Sequence, residues 1–164
     1  MIIKDSMVLI HLAKITLLEK SCEYFGKVII SKKVYEEVIV CKEKTYPDIK
    51  IVEELVRMKK IQIIEADEKK YLKLAEEFNI QGGEKEALAL YWQEKADYLA
   101  TDDDNVRKKS TLLNIKIIGT PVIILKLYKE KIIQKEKFAE CLNKLKKIGW
   151  FSSSIIDKLL MEEK

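Results

Sequence analysis

The chain opens on MIIKD, an apolar run that starts at the first residue and ends in a carboxylate. A run so short and apolar, with no element before it, predicts a buried strand at the centre of a parallel sheet. In open α/β sheets the ligand crevice lies beyond the carboxyl ends of the strands. Asp5 falls at that edge, and further along the chain more carboxylates are brought to it.

Residues 7–18 carry a helical stripe of Val8, Leu9, Leu12, Ile15 and Leu18, followed by a turn closed at Gly26. Residues 28–30 read as a second strand. Ser31 is placed to cap a helix running to Cys41, with Val34, Val38 and Cys41 inward. Residues 42–48, with Pro47, read as a loop, and Asp48 as the cap of a helix through Met58. Residues 61–64 are a third strand, and Asp67 caps a helix to Phe78. Gly82-Gly83 breaks the pattern before a helix over residues 84–95. Residues 98–100 are a fourth strand, ending in Thr101-Asp102-Asp103-Asp104; a helix to Leu113 and a fifth strand over 115–118 follow. Thr120 is the expected cap of the next helix, with Pro121 in its first turn. The remainder is helical, broken at Gly149 and restarted at residues 152–154. Strands alternating with helices predict a three-layer α/β/α domain around a parallel sheet of about five strands. Residues 1–164 read as one domain, with no repeat or linker.

Composition narrows the class. At 48% hydrophobic content the chain can build a core, which argues against disorder. No apolar run reaches the ~18 residues of a membrane span. An acid and a histidine interrupt the apolar stretch of MIIKDSMVLIHLAKI, which argues against a secretory signal. Cys22, Cys41 and Cys141 are odd in number and lack metal-type spacing, so they read as reduced residues of a cytoplasmic protein. His11, near the apolar face of the first helix, reads as packing. The net charge of +4 permits a nucleic-acid partner without establishing one.

Helical geometry sorts the acids, at ~100° per residue. In the Ser31 helix, Glu37 lies about 65° from the inward direction and Glu36 about 165°. Glu37 is the partly buried acid. In the helix after Gly82-Gly83 the inward stripe is Ala87, Leu88 and Tyr91. Glu84 lies about 15° from its centre and Glu86 about 145°. A carboxylate on the apolar axis needs a cation opposite it, because the helix dipole contributes only about 0.3–1 kcal/mol. Asp102, Asp103 and Asp104 follow the fourth strand, and periodicity does not choose among them in a turn. Asp5, Glu37, Glu84 and one of these three therefore converge on one crevice. Oxygen-only ligation selects hard ions, Mg²⁺ or Mn²⁺. Such ions activate water for phosphodiester hydrolysis.

The motifs IIKDSMVLIHLAKI, VIISKKVYEEVIV, GGEKEALALY, YLATDDDNVRKKS and IKIIGTPVIIL, in this order, resemble the PIN-domain family of metal-dependent ribonucleases. The ending KLKKIGWFSSSIIDKLL is similar to stand-alone prokaryotic PIN proteins related to VapC toxins. The resemblance implies an acid quartet of Asp5, Glu37, Glu84 and Asp103. Of these, Asp5, Glu84 and Asp103 would be the metal ligands and Mg or Mn the cofactor. It implies auxiliary roles for Ser6, Thr101, Asp102, Asp104 and Arg107, the last toward the acids or an RNA phosphate. Met7 departs from the pattern, which has Ser or Thr there; Ser6 stands in as the nearest hydroxyl. The implied activity is cleavage of single-stranded or structured RNA, as in the toxin of a toxin–antitoxin pair. RNA, an antitoxin protein and a second copy in a homodimer are the implied partners. The alternative is a catalytically weakened PIN domain that binds RNA or another protein. A phosphoacceptor receiver is disfavoured because no Asp-Asp pair follows the first strand, and a dinucleotide binder because no Gly-rich turn does.

Overall fold

The computed structural model describes residues 1–44, 49–148 and 151–162, with side chains for all of these except residues 41–44. Five strands form one all-parallel sheet in the order β3-β2-β1-β4-β5. They are β1 (Ile2–Lys4), β2 (Val28–Ser31), β3 (Ile61–Ile64), β4 (Tyr98–Ala100) and β5 (Ile117–Ile118). MIIKD is thus the central strand, as its apolar run predicts. Both of its faces are covered, because Ile2 and Ile3 are fully buried in two separate apolar clusters.

The cluster around Ile2 takes in α1 (Ser6–Lys14), α2 (Leu18–Phe25), α3 (Lys32–Lys44), α4 (Lys50–Arg57), α8 (Thr120–Lys129), α9 (Lys135–Ile148) and α10 (Ser153–Met161). The cluster around Ile3 takes in α5 (Lys73–Glu77), α6 (Gly82–Gln93) and α7 (Asp104–Leu113). These are the outer layers of a three-layer α/β/α fold. The chain winds from β1 through β2 to β3, then jumps back to β4 on the other side of β1. Such a reversal opens a crevice at the carboxyl ends of the two strands beside it.

Several boundaries differ from the sequence expectation. The stripe over residues 7–18 is two helices, because the chain turns at Thr16 into the left-handed region (φ 63°). The N–H of Thr16 donates to Ala13 O at 3.1 Å and that of Leu17 to Leu12 O at 2.9 Å, closing α1 in a Schellman-type cap. A β-branched residue gives no sequence warning of such a cap. Helix α3 runs past Cys41 to Lys44, and α6 begins on the two glycines. The Asp67 helix starts as a π-helical turn over Glu68–Leu72, with Asp67 accepting from the N–H groups of Lys69 and Lys70. Strand β5 is shorter than residues 115–118, and Gly119, not Thr120, occupies the cap position of α8. The Asp48 cap, the loop around Pro47, the Cys41 side chain and the break at Gly149 lie outside the described residues.

The same left-handed cap recurs on residues with side chains, at Lys59, Lys95, Asn114 and Lys131 among others. At the end of α6 the N–H of Ala96 donates to Tyr91 O at 3.1 Å and that of Lys95 to Trp92 O at 3.3 Å, with Lys95 itself exposed at φ 51°. Lys95→Gly keeps both bonds and removes the Cβ strain. It is expected to raise stability by about 0.5 kcal/mol or more in urea denaturation, and Lys95→Val to lower it.

Candidate functional site: an acidic cluster at the carboxyl edge of the sheet

Asp5 stands where β1 ends and α1 begins, and its N–H donates to Ala100 O of β4 at 3.0 Å. It is the N-cap of α1: Oδ1 accepts from Val8 N–H at 2.9 Å. Its other oxygen, Oδ2, is buried and has no hydrogen-bond partner. Burial pushes the Asp5 carboxyl up to about 8, and the neighbouring charges of Asp102 and Glu84 add to the rise; the Thr101 hydroxyl and the Val8 N–H pull the other way. A buried carboxylate oxygen without a hydrogen bond, among like charges, disfavours the ionised form.

Helices α3 and α6 bring the two glutamates. Ser31 Oγ accepts from Val34 N–H at 3.0 Å and starts α3, whose Val34 and Val38 are fully buried. Glu37 is half-buried and Glu36 exposed, as the helical angles predict. Glu37 Oε1 accepts from Gly83 N–H at 3.0 Å. A Cβ on Gly83 would lie 2.4 Å from Glu37 Oε2, so that glycine clears the space in which the carboxylate sits. At Gly82, whose φ is +64°, a Cβ would lie 3.4 Å from Glu84 Oε2 and 3.7 Å from Glu37 Oε1. The glycine pair thus starts α6 and sets both glutamates around one turn. The Glu84 carboxyl is pushed above its ordinary value by burial first, then by the charges of Asp103 and Glu37; its own N–H opposes this. Glu86 is half-buried rather than exposed, because it faces the start of α3, where its Oε2 accepts from Lys33 N–H at 3.3 Å.

The three consecutive aspartates have three different environments. Asp103 is the N-cap of α7, accepting from Val106 N–H at 2.8 Å, and its own N–H donates to Thr101 Oγ1 at 3.1 Å. Asp104 is exposed and pairs with Arg107 at 2.5 Å, so that arginine lies on the surface of α7 beside its own helical neighbour. Asp102 turns inward. Oδ1 accepts from Thr120 N–H at 2.7 Å, and Oδ2 from the Thr120 hydroxyl at 2.5 Å and from His11 Nδ1–H at 2.7 Å. His11 and Thr120 are themselves buried. His11 therefore does more than pack: it ties α1 to the turn after β4. Nothing local could have linked residues 91 positions apart.

Lys4 is a second residue that sequence reading passed over. It is fully buried on the opposite face from Ile3, donates from Nζ to Ser21 Oγ at 2.5 Å, and burial lowers its pKa to about 8. Ser6 is buried in the first turn of α1, and Met7, half-buried, follows it.

Asp5, Glu37, Glu84 and Asp103 are thus coupled by their charges at one edge of the sheet, while Asp102 is engaged in fastening the turn. No three His, Cys, Asp or Glu side chains among the described residues stand in ready-made coordination geometry. The orphaned Asp5 Oδ2, the mutual repulsion of the acids and an all-oxygen donor set nevertheless suit a hard divalent cation.

Two tests follow from the geometry. Asp5 has a folded pKa of about 8 against an ordinary 3.8, so its contribution to stability is full below the lower value and lost as pH rises through the higher. In EDTA the protein is expected to melt at falling temperature across that window, and Asp5→Asn, which keeps the cap, to flatten the dependence and raise Tm at alkaline pH. Asp102→Ala removes the hydrogen bonds that tie the turn to His11 and Thr120 and is expected to cost about 3 kcal/mol in urea denaturation, whereas Asp103→Asn, which preserves the α7 cap, costs less than about 1.

The chain matches the protein-family model of the PIN domain over residues 1–163. No curated protein and no solved structure gives a match.

Proposed function

The chain belongs to the PIN-domain family, whose members are generally nucleases, and from that premise we propose that it is a metal-dependent ribonuclease. The observation that carries the proposal is the buried, unpartnered Oδ2 of Asp5 beside Glu84, within a cluster that also includes Asp103 and Glu37. Asp5, Glu84 and Asp103 would hold the ion. A bound Mg²⁺ or Mn²⁺ supplies an activated water and neutralises the phosphodiester oxygens.

The protein's own residues prepare this site. Val8 N–H fixes Asp5 Oδ1 and leaves Oδ2 free to ligate. The Thr101 hydroxyl favours the charged form of Asp5, and it also accepts from the N–H of Asp103, which it positions. Gly83 N–H holds Glu37 against the start of α6, where its carboxylate raises the proton affinity of Glu84. In chains of this family a toxin role with a protein antitoxin is a further part of the proposal, resting on the resemblance of the ending KLKKIGWFSSSIIDKLL.

Met7 favours a second reading. A thioether stands at the position where the family pattern has a hydroxyl, which weakens ligand orientation and fits a domain that binds RNA without cutting it. Incubation of a mixed single-stranded RNA pool with Mn²⁺ or Mg²⁺ separates the two. Cleavage abolished by EDTA and reduced about 1,000-fold or more by Asp5→Asn is the expected result. Equal residual cleavage by wild type and Asp5→Asn would remove the acids from the mechanism. RNA binding without cleavage would establish the second reading.

A further inference from the structure

Next to the acidic cluster lies a cavity of about 370 Å³, lined by Glu76, Asn79, Ile80, Gln81, Gly82 and Lys85. Gly82 belongs to both: it lines the cavity, and a Cβ on it would meet the carboxylates of Glu84 and Glu37. A chain bound across the acids therefore passes directly beside the cavity.

The chemistry of its walls selects what enters. Lys85 Nζ is paired with Glu76 Oε1 at 2.8 Å, so the cavity presents no uncompensated positive charge for a phosphate. The remaining polar side chains are two neutral amides, Asn79 and Gln81, both exposed. The segment between them is held by its backbone: Asn79 takes a left-handed conformation (φ 54°) and its carbonyl accepts from Asn105 Nδ2 at 3.4 Å, while Gln81 O accepts from Lys85 N–H at 3.4 Å. Gln81 is the N-cap of α6 but makes no side-chain capping bond, which leaves its amide available. Amides pair bidentately with the edges of bases, reading donor and acceptor patterns. None of the lining side chains is aromatic, so the walls offer no stacking platform, the sequence-tolerant way of holding a base.

We propose that this cavity is a base-reading subsite that receives the nucleobase flanking the scissile phosphate and gives the enzyme a sequence preference at that position. The proposal rests on the ribonuclease reading for the identity of its ligand. The cavity itself recognises a neutral heterocycle edge through Asn79 and Gln81.

The experiment uses four RNA pools, each with one base fixed at a single position, and two readouts. The full chain with Mn²⁺ gives the cleavage profile, and Asp103→Asn gives binding without turnover. Each is repeated with Gln81→Ala, which loses no cap bond, and with Asn79→Gly, which keeps the left-handed backbone. The expected result is a base preference next to the cut that falls about tenfold in both variants, in both readouts. A preference that neither substitution changes overturns the subsite and leaves the nuclease intact. Base-dependent binding lost in the variants, with no cleavage by wild type, supports the subsite and overturns the ribonuclease reading. Absence of both binding and cleavage overturns both. Saturable binding of a free nucleoside monophosphate, with no base preference in the RNA pools, would reassign the cavity to a free nucleotide and overturn the flanking-base proposal.

Discussion

A carboxylate buried at the end of the central strand is the constraint to which the surrounding structure responds. Asp5 has one oxygen satisfied by Val8 N–H and the other by nothing, and its neighbours Asp102 and Glu84 carry the same sign of charge. Burying an unpaired charge costs several kcal/mol. The fold offsets part of that through the first turn of α1 and the Thr101 hydroxyl. The rest of the cost is retained, and burial holds the Asp5 carboxyl toward its protonated form.

The geometry around Asp5 depends on a second network directly beneath it. Asp102 fastens the turn after β4 to α8 through Thr120 and to α1 through His11. A Cβ on Gly119 would press against Asp102 Oδ1 at 3.1 Å, so the glycine keeps this contact relaxed. With Asp102 pulled inward, the next residue, Asp103, is turned to cap α7 within electrostatic reach of Glu84. Adjacent residues of identical chemistry thus divide into an internal fastener, a cap in the acidic cluster and a solvated partner of Arg107. Hydrogen bonding, and not residue type, makes the distinction.

Gly82 and Gly83 join two further requirements. One supplies a positive φ at the entry to α6, and the other leaves the volume that the Glu37 carboxylate occupies. Gly82 separates the cavity from the acids only by backbone. The site and the cavity are consequently parts of one surface, with charge concentrated on one side of the turn and neutral amides on the other.

Much of this was legible in the order of residues. MIIKD announced a central strand ending in an acid because a strand covered on both faces must be apolar throughout. Glu37 was separated from Glu36 because 3.6-residue periodicity ties burial to spacing, and Val34 and Val38 define the buried side. Periodicity failed where it had nothing to report. Thr16 ends α1 in a conformation its β-branched side chain disfavours, Glu86 is half-buried because it accepts a hydrogen bond from Lys33 N–H at the start of α3, and the glycine pair begins a helix where it read as a break. What the sequence determined by itself is the set of elements, the faces they bury and the acids placed at their ends, all of which follow from short-range backbone and side-chain patterns. What only the tertiary structure decided is which of those acids are spent on the protein and which remain free. That depends on partners such as His11 and Asp102, distant along the chain and brought together only when the order of strands reverses beside β1.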